Sequence, residues 1–132
     1  MVLVDTSVWI RFLANRAPQA EELDRLLGLD QVVGHELIYG ELLIGDRGGR
    51  RSLLTAYERV DQAAMVPHSE VVLFVRQRKL HGRGIGWVDA HLLASAIVEK
   101  VRLWTVDASL SAVAEDFDIA YHAPVIKRGK PS

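Results

Sequence analysis

The chain is 132 residues long, about the size of one compact domain, and 49% of it is hydrophobic, enough for a packed core and too much for a disordered segment. It contains no cysteine, which excludes disulfide staples, thiolate metal sites and cysteine nucleophiles. A formal net charge of −1 excludes the uniformly basic type of nucleic-acid binder. Residues 2–4 (VLV) form a short apolar run ending in Asp5-Thr6-Ser7. This reads as a buried strand followed by a helix start, because Asp, Thr and Ser are the types that cap helices. A short helix is expected over 7–14, and a second opens at Pro18, carries Leu23, Leu26 and Leu27 on one face and stops at Gly28. Residues 31–34 read as a second strand, 35–45 as an apolar helix interrupted by Glu41, 45–49 as a loop and 50–60 as another helix. A third strand is expected over 63–66, stopped by Pro67, and a long helix over 68–80. The glycine-rich run 81–86 reads as a flexible loop and 88–99 as an apolar helix. A strand over 102–106 then ends at Asp107, followed by a helix over 109–116 and a last short strand over 119–121. Strands alternating with helices, with no repeat and no linker, predict a single α/β domain over 1–132 built on a parallel sheet flanked by helices.

No apolar run approaches the roughly 20 residues that span a bilayer. The start MVLVDTSVWIRFL lacks the basic lead-in and small-residue cleavage site of a signal peptide. A soluble, cytoplasmic protein without membrane association is expected.

The informative residues are acids in apolar surroundings. In an open parallel sheet, ligands bind beyond the carboxyl ends of the strands. Asp5 follows VLV and Asp107 follows LWTV, so two aspartates fall there together. Either alone reads as a helix N-cap; two in one sheet point to a shared site. Glu41 lies within the apolar helical run LIYGELLIG, where a charge is costly to bury without a partner. Glu36 competes with it, but five residues apart on a helix the two point in different directions. Glu36 sits near the helix start, where an acid is favourable anyway, so Glu41 is the better candidate. Asp89 opens an otherwise apolar helix, which fits either a complement to the helix dipole or a fourth site acid. Four clustered carboxylates repel unless divalent cations join them, and hard oxygen donors suit Mg²⁺ or Mn²⁺. A metal-activated water cleaving a phosphodiester is the natural chemistry of such a set. Thr6, Ser7 and Thr105 fit capping or strand packing first, and orienting a carboxylate second.

At these residues the chain resembles the PIN-domain ribonucleases, in particular the VapC toxins of bacterial toxin–antitoxin pairs. The resemblance is carried by VLVDTSVWIRFL, HELIYGELLIG, GRGIGWVDAHLLASA and VRLWTVDASL, which span nearly the whole chain in the family's order. It implies a three-layer PIN-like fold around a parallel sheet of about five strands. It implies metal-binding, catalytic acids at Asp5, Glu41, Asp89 and Asp107, and it also favours Glu41 over Glu36. Further implications are Mg²⁺- or Mn²⁺-dependent cleavage of RNA, with tRNA or rRNA as fitting targets, homodimerisation, and inhibition by a VapB-like antitoxin. The additional aspartate of some members has its nearest counterpart in Asp116, which reads better as a surface helix residue.

Other chemistries fit less well. A phosphatase of the haloacid dehalogenase type needs a second aspartate where Ser7 stands, and a receiver-like module needs a strand-end lysine that VDASL lacks. The remaining alternative is a catalytically inactive PIN-like module that binds RNA or protein, against which the four acids argue. Trp9, Phe12 and Leu13 read as core or subunit-contact residues. His91, two residues past Asp89, faces away from it on a helix and reads as packing or a supporting hydrogen bond. The basic residues are bunched: Arg47, Arg50 and Arg51; Arg76, Arg78, Lys79 and Arg83; Lys127, Arg128 and Lys130. Such bunches suit RNA phosphates as well as solvated faces, and Arg83 on the glycine-rich loop is placed to touch RNA beside Asp89.

Overall fold

The structure, a computed structural model, describes residues 1–124; the basic cluster of Lys127, Arg128 and Lys130 lies outside them. The chain runs β1 (Val2–Val4), α1 (Thr6–Leu13), α2 (Gln19–Gly28), β2 (Val32–Gly34), α3 (Glu36–Ile44), α4 (Arg51–Tyr57), β3 (Asp61–Gln62), α5 (His68–Gln77), α6 (Trp87–Glu99), β4 (Arg102–Trp104) and α7 (Ala108–Asp116). The strands form one parallel sheet in the order β3-β2-β1-β4. The chain therefore winds outward from β1 to β2 and β3, then returns to place β4 on β1's other side. The crevice between the carboxyl ends of β1 and β4 is the switch point at which such sheets bind ligands.

Three strand expectations need correction. The third strand is Asp61–Gln62, not 63–66. Its apolar successors serve a helix rather than a ladder: Val66 is buried with Val71, Ala90 and Ala94, and the Ala64 carbonyl accepts from Ser95 Oγ at 3.0 Å. The fifth strand reduces to a single parallel bridge between Leu103 and Ala120. The sheet is therefore four-stranded among the described residues rather than about five-stranded. Likewise β4 stops at Trp104, because side-chain hydroxyls take over the next amides: Val106 N donates to Ser7 Oγ and Asp107 N to Thr105 Oγ1.

Strand residues Val2, Leu3, Val4, Val32 and Leu103 are buried on both faces, as a helix-covered parallel sheet requires. Trp9 anchors one side, its ring meeting Phe12 and Tyr57 edge-on. On the other side α6 is buried continuously from Ala90 to Ala96, a central helix wedged between sheet and α5. Among the described residues no helix is long and apolar enough to cross a membrane.

One ion pair ties the glycine-rich loop between α5 and α6 to α7. Arg83 pairs with Asp116, the last residue of α7, at 2.8 Å. Both partners are well exposed, so Arg83→Ala should cost under about 1 kcal/mol in urea unfolding. Arg50 also has a structural duty, since its guanidinium donates to the Leu42 carbonyl at 2.8 Å and closes the end of α3.

Candidate active site

Asp5 occupies the N-cap position of α1, yet its carboxylate makes no capping bond. It is buried, and its Oδ2 instead accepts from Ser7 Oγ at 2.7 Å and Thr105 Oγ1 at 2.8 Å. Each hydroxyl donates to Asp5 and accepts a backbone amide, from Val106 and Asp107 respectively. Thr105 thus ties the strand-end aspartate of β1 to the backbone of Asp107. The ordinary capping role, sufficient to explain an aspartate here, does not explain Asp5.

Asp107 does cap its helix: Oδ1 accepts from Leu110 N at 2.8 Å. Asp89 is half-buried in the first turn of α6, where Oδ2 accepts from Gly86 N at 2.9 Å. Glu41 is exposed on α3, and its Oε1 accepts from Thr6 Oγ1 at 2.7 Å, which aims it at the start of α1. Glu36 lines a separate cavity of about 280 Å³ with Tyr39, Tyr57, Glu58 and Gln62. Asp116 stands at the opposite end of α7, paired with Arg83.

The electrostatics join the four acids. The Asp89 carboxyl is pushed up from its ordinary range, first by burial and then by the negative charges of Asp5, Asp107 and Glu41, with the Gly86 amide opposing. Among the described residues none of the four pairs with a lysine or arginine. Each has one carboxylate oxygen held by a hydroxyl or amide and one without a protein hydrogen bond among those residues. As placed, no three of them converge in metal-ligating geometry among the described residues. The donor chemistry fits a hard divalent cation: four carboxylate oxygens without a protein hydrogen bond and no ion-paired lysine or arginine on these acids among the described residues.

Thr6, Ser7 and Thr105 are therefore more engaged with the acids than helix capping or strand packing requires. The signal lay in spacing: DTS places two hydroxyls beside the first acid, and TVD places one two residues before the last. His91 is buried against Trp87, and its Nδ1 has no hydrogen-bond partner among the described residues.

Comparison with known proteins agrees with this architecture. Residues 2–116 match the PIN domain family. The chain is 44% identical over 121 residues to Ribonuclease VapC32 of Mycobacterium tuberculosis, in both the CDC 1551 / Oshkosh and H37Rv strains, over 91% of this chain and 95% of that protein. The crystal structure of FitAcB from Neisseria gonorrhoeae superposes with a TM-score of 0.60 at 23% identity, covering 91% of this chain and 95% of that one, a likeness of fold.

Proposed function

The chain belongs to the PIN domain family, and we propose that it is an endoribonuclease of the VapC kind, the toxin of a toxin–antitoxin pair, formed as one PIN domain over 1–132. The observation that carries this reading is the pair of strand-end acids at β1 and β4, Asp5 and Asp107, linked through Thr105, with the charges of both acting on Asp89. The 44% identity to a named ribonuclease over most of both chains supports it from outside the site. Asp5, Glu41, Asp89 and Asp107 would hold Mg²⁺ or Mn²⁺ through their free oxygens. Such an ion lowers the pKa of a bound water and stabilises the charge that develops on the phosphate oxygens.

The chain's own residues supply rigidity and aim. Ser7 and Thr105 hold Asp5 through Oδ2, leaving Oδ1 without a donor among the described residues. Thr6 orients Glu41, and the Gly86 amide orients Asp89. The acid whose pKa is raised also links cation binding to pH. A proton competes for Asp89 at higher pH than for an ordinary carboxylate, so Mg²⁺ affinity should fall as acidity rises, and binding at acidic pH should release part of a proton. Titration calorimetry in buffers of different ionisation enthalpy reads that proton. Asp89→Asn should remove the proton release and shrink the Mg²⁺-induced rise in melting temperature. In the wild type that rise corresponds to about 2.7 kcal/mol at a hundredfold excess over Kd.

The partners follow from the same reading: a structured RNA such as tRNA or rRNA, a VapB-like antitoxin, a second copy in a homodimer, and action in the cytoplasm. Apolar side chains left on the surface support protein partners, chiefly Ile44 at 88% exposure with Leu43, Ile10 and Leu13. The deciding experiment is incubation of purified protein with total RNA in Mg²⁺ or Mn²⁺ and in chelator. New 5′ ends that appear only with metal are expected; metal-independent cleavage, or none with metal bound, would refute the reading.

A further inference from the structure

Three cations from three separate elements line one cavity at the amino ends of β1 and β4, the end of the sheet opposite Asp5 and Asp107. Arg78 caps the end of α5, Lys100 caps the end of α6, and Arg102 opens β4. The cavity encloses about 510 Å³, within the range of small-molecule sites. Both guanidinium groups are fixed on its wall. Arg78 lies over the Phe117 ring at 5.6 Å, and Arg102 donates to the Asp118 carbonyl at 3.0 Å, where Phe117 and Asp118 are themselves lining residues.

Cations at helix ends ordinarily answer the open carbonyls there. Here the backbone closes them itself. Helices α5, α6 and α7 each run into a left-handed residue, Lys79, Lys100 and Asp118. The next amide then bonds back across the turn, Leu80 to Val75, Val101 to Ala96 and Ile119 to Ala114, each at 3.0 Å. Lys100 thus occupies a position that favours glycine, and its ammonium has no hydrogen bond or ion pair among the described residues. Nor do acids neutralise the cavity. Glu115 pairs with His122, Asp116 pairs with Arg83, and Glu99 accepts from the Ala64 amide, which leaves Asp118 as the acid on the lining. Residues 125–132 contain no aspartate or glutamate, so the rest of the chain adds no acidic side chain.

Three positive side chains against one negative suit an anion with several oxygens, which arginine forks and a lysine ammonium bind well. The wall beside them is apolar and includes Ile97, so it suits a ligand with an apolar body. We propose that this cavity binds a small phosphate ester of mononucleotide size, its phosphates on Arg78, Lys100 and Arg102. The site is independent of the ribonuclease reading above.

The test titrates the full chain with ADP in chelator, where no metal draws the nucleotide to the carboxylates, and calorimetry reads the affinity. Lys100→Gly is the sharpest variant. It removes the ammonium and gives the left-handed position the residue that suits it, so its melting temperature should match or exceed that of the wild type. ADP affinity should fall between about 5- and 20-fold in Lys100→Gly and in Arg78→Gln, and Lys100→Arg should keep most of it. Pyrophosphate should bind more weakly than ADP, because it leaves the apolar wall empty. No ADP binding at millimolar concentration overturns the proposal, as does equal affinity in the wild type and both variants. Pyrophosphate binding as tight as that of ADP also overturns it. So does a single-stranded 2′-O-methyl oligoribonucleotide that binds in chelator through Lys100 more tightly than ADP, which would make the cavity an RNA contact.

Discussion

Replacing Asp5 by Asn should abolish RNA cleavage while the protein stays folded. The asymmetry of its hydrogen bonding makes the substitution clean. Oδ2 takes both donors, from Ser7 and Thr105, and Oδ1 takes none from the described residues. The Asn carbonyl oxygen can replace Oδ2 and accept both hydroxyls. Its amide group then stands where Oδ1 stood and presents hydrogens where a cation needs a lone pair. The buried network survives, so unfolding free energy should change by about 1 kcal/mol or less. A metal site supplies several kcal/mol of transition-state stabilisation, and disabling a ligand should cut turnover at least about a thousandfold. A denaturing gel with labelled RNA reads the first effect and a urea melt the second. Undiminished cleavage by Asp5→Asn would remove Asp5 from the machinery.

The second large effect is on stability and comes from a residue outside the site. His35 is fully buried, and its two ring nitrogens have fixed roles. Nδ1 accepts from Leu37 N at 3.1 Å, so it carries no proton, and Nε2 donates to Ser95 Oγ at 3.0 Å. Ser95 passes the chain on to the Ala64 carbonyl. Only a neutral imidazole fits, and burial, helped by nearby His91, lowers the His35 pKa from 6.5 to about 4. The unfolded chain therefore takes up a proton that the folded chain refuses between those values. Stability is at its full level above pH 6.5 and declines as pH falls towards 4, by on the order of 3 kcal/mol. Urea unfolding at pH 7, 5.5 and 4.5 should show the decline. His35→Gln should lower stability at pH 7 and flatten the slope. A wild-type profile flat across that window would show that His35 titrates normally.

How far the sequence could be read depended on whether a residue's duty was local. Val2–Val4 announced itself, because a strand buried on both faces must be apolar throughout. Ala64 and Val66 carried the same mark for a different reason, their engagement with α6, and so drew the third strand two residues too late. Their partner helix lies some thirty residues onward, beyond any local pattern. Asp5 and Asp107 were visible as strand-end acids, but that one caps its helix and the other does not depends on Thr105, a hundred residues from Asp5. Helical geometry separated Glu41 from Glu36 without saying what each would face; Thr6 and the Tyr39–Tyr57 cavity answer that. Arg83 was expected beside Asp89 because the loop runs there. Its ion pair with Asp116 needed the knowledge that α7 lies alongside.

The bond between Thr105 and Asp5 also sets a timetable. β1 is among the first segments to leave the ribosome, yet one of its two sheet neighbours is β4, and Asp5 is clamped only when residue 105 arrives. Pairing across so long a stretch is slow to form and cannot begin until most of the chain has been made. A half-made copy exposes its first acid without the last one. A protein that cuts RNA would thus be harmless to the message and ribosome producing it until translation of its own chain is nearly complete.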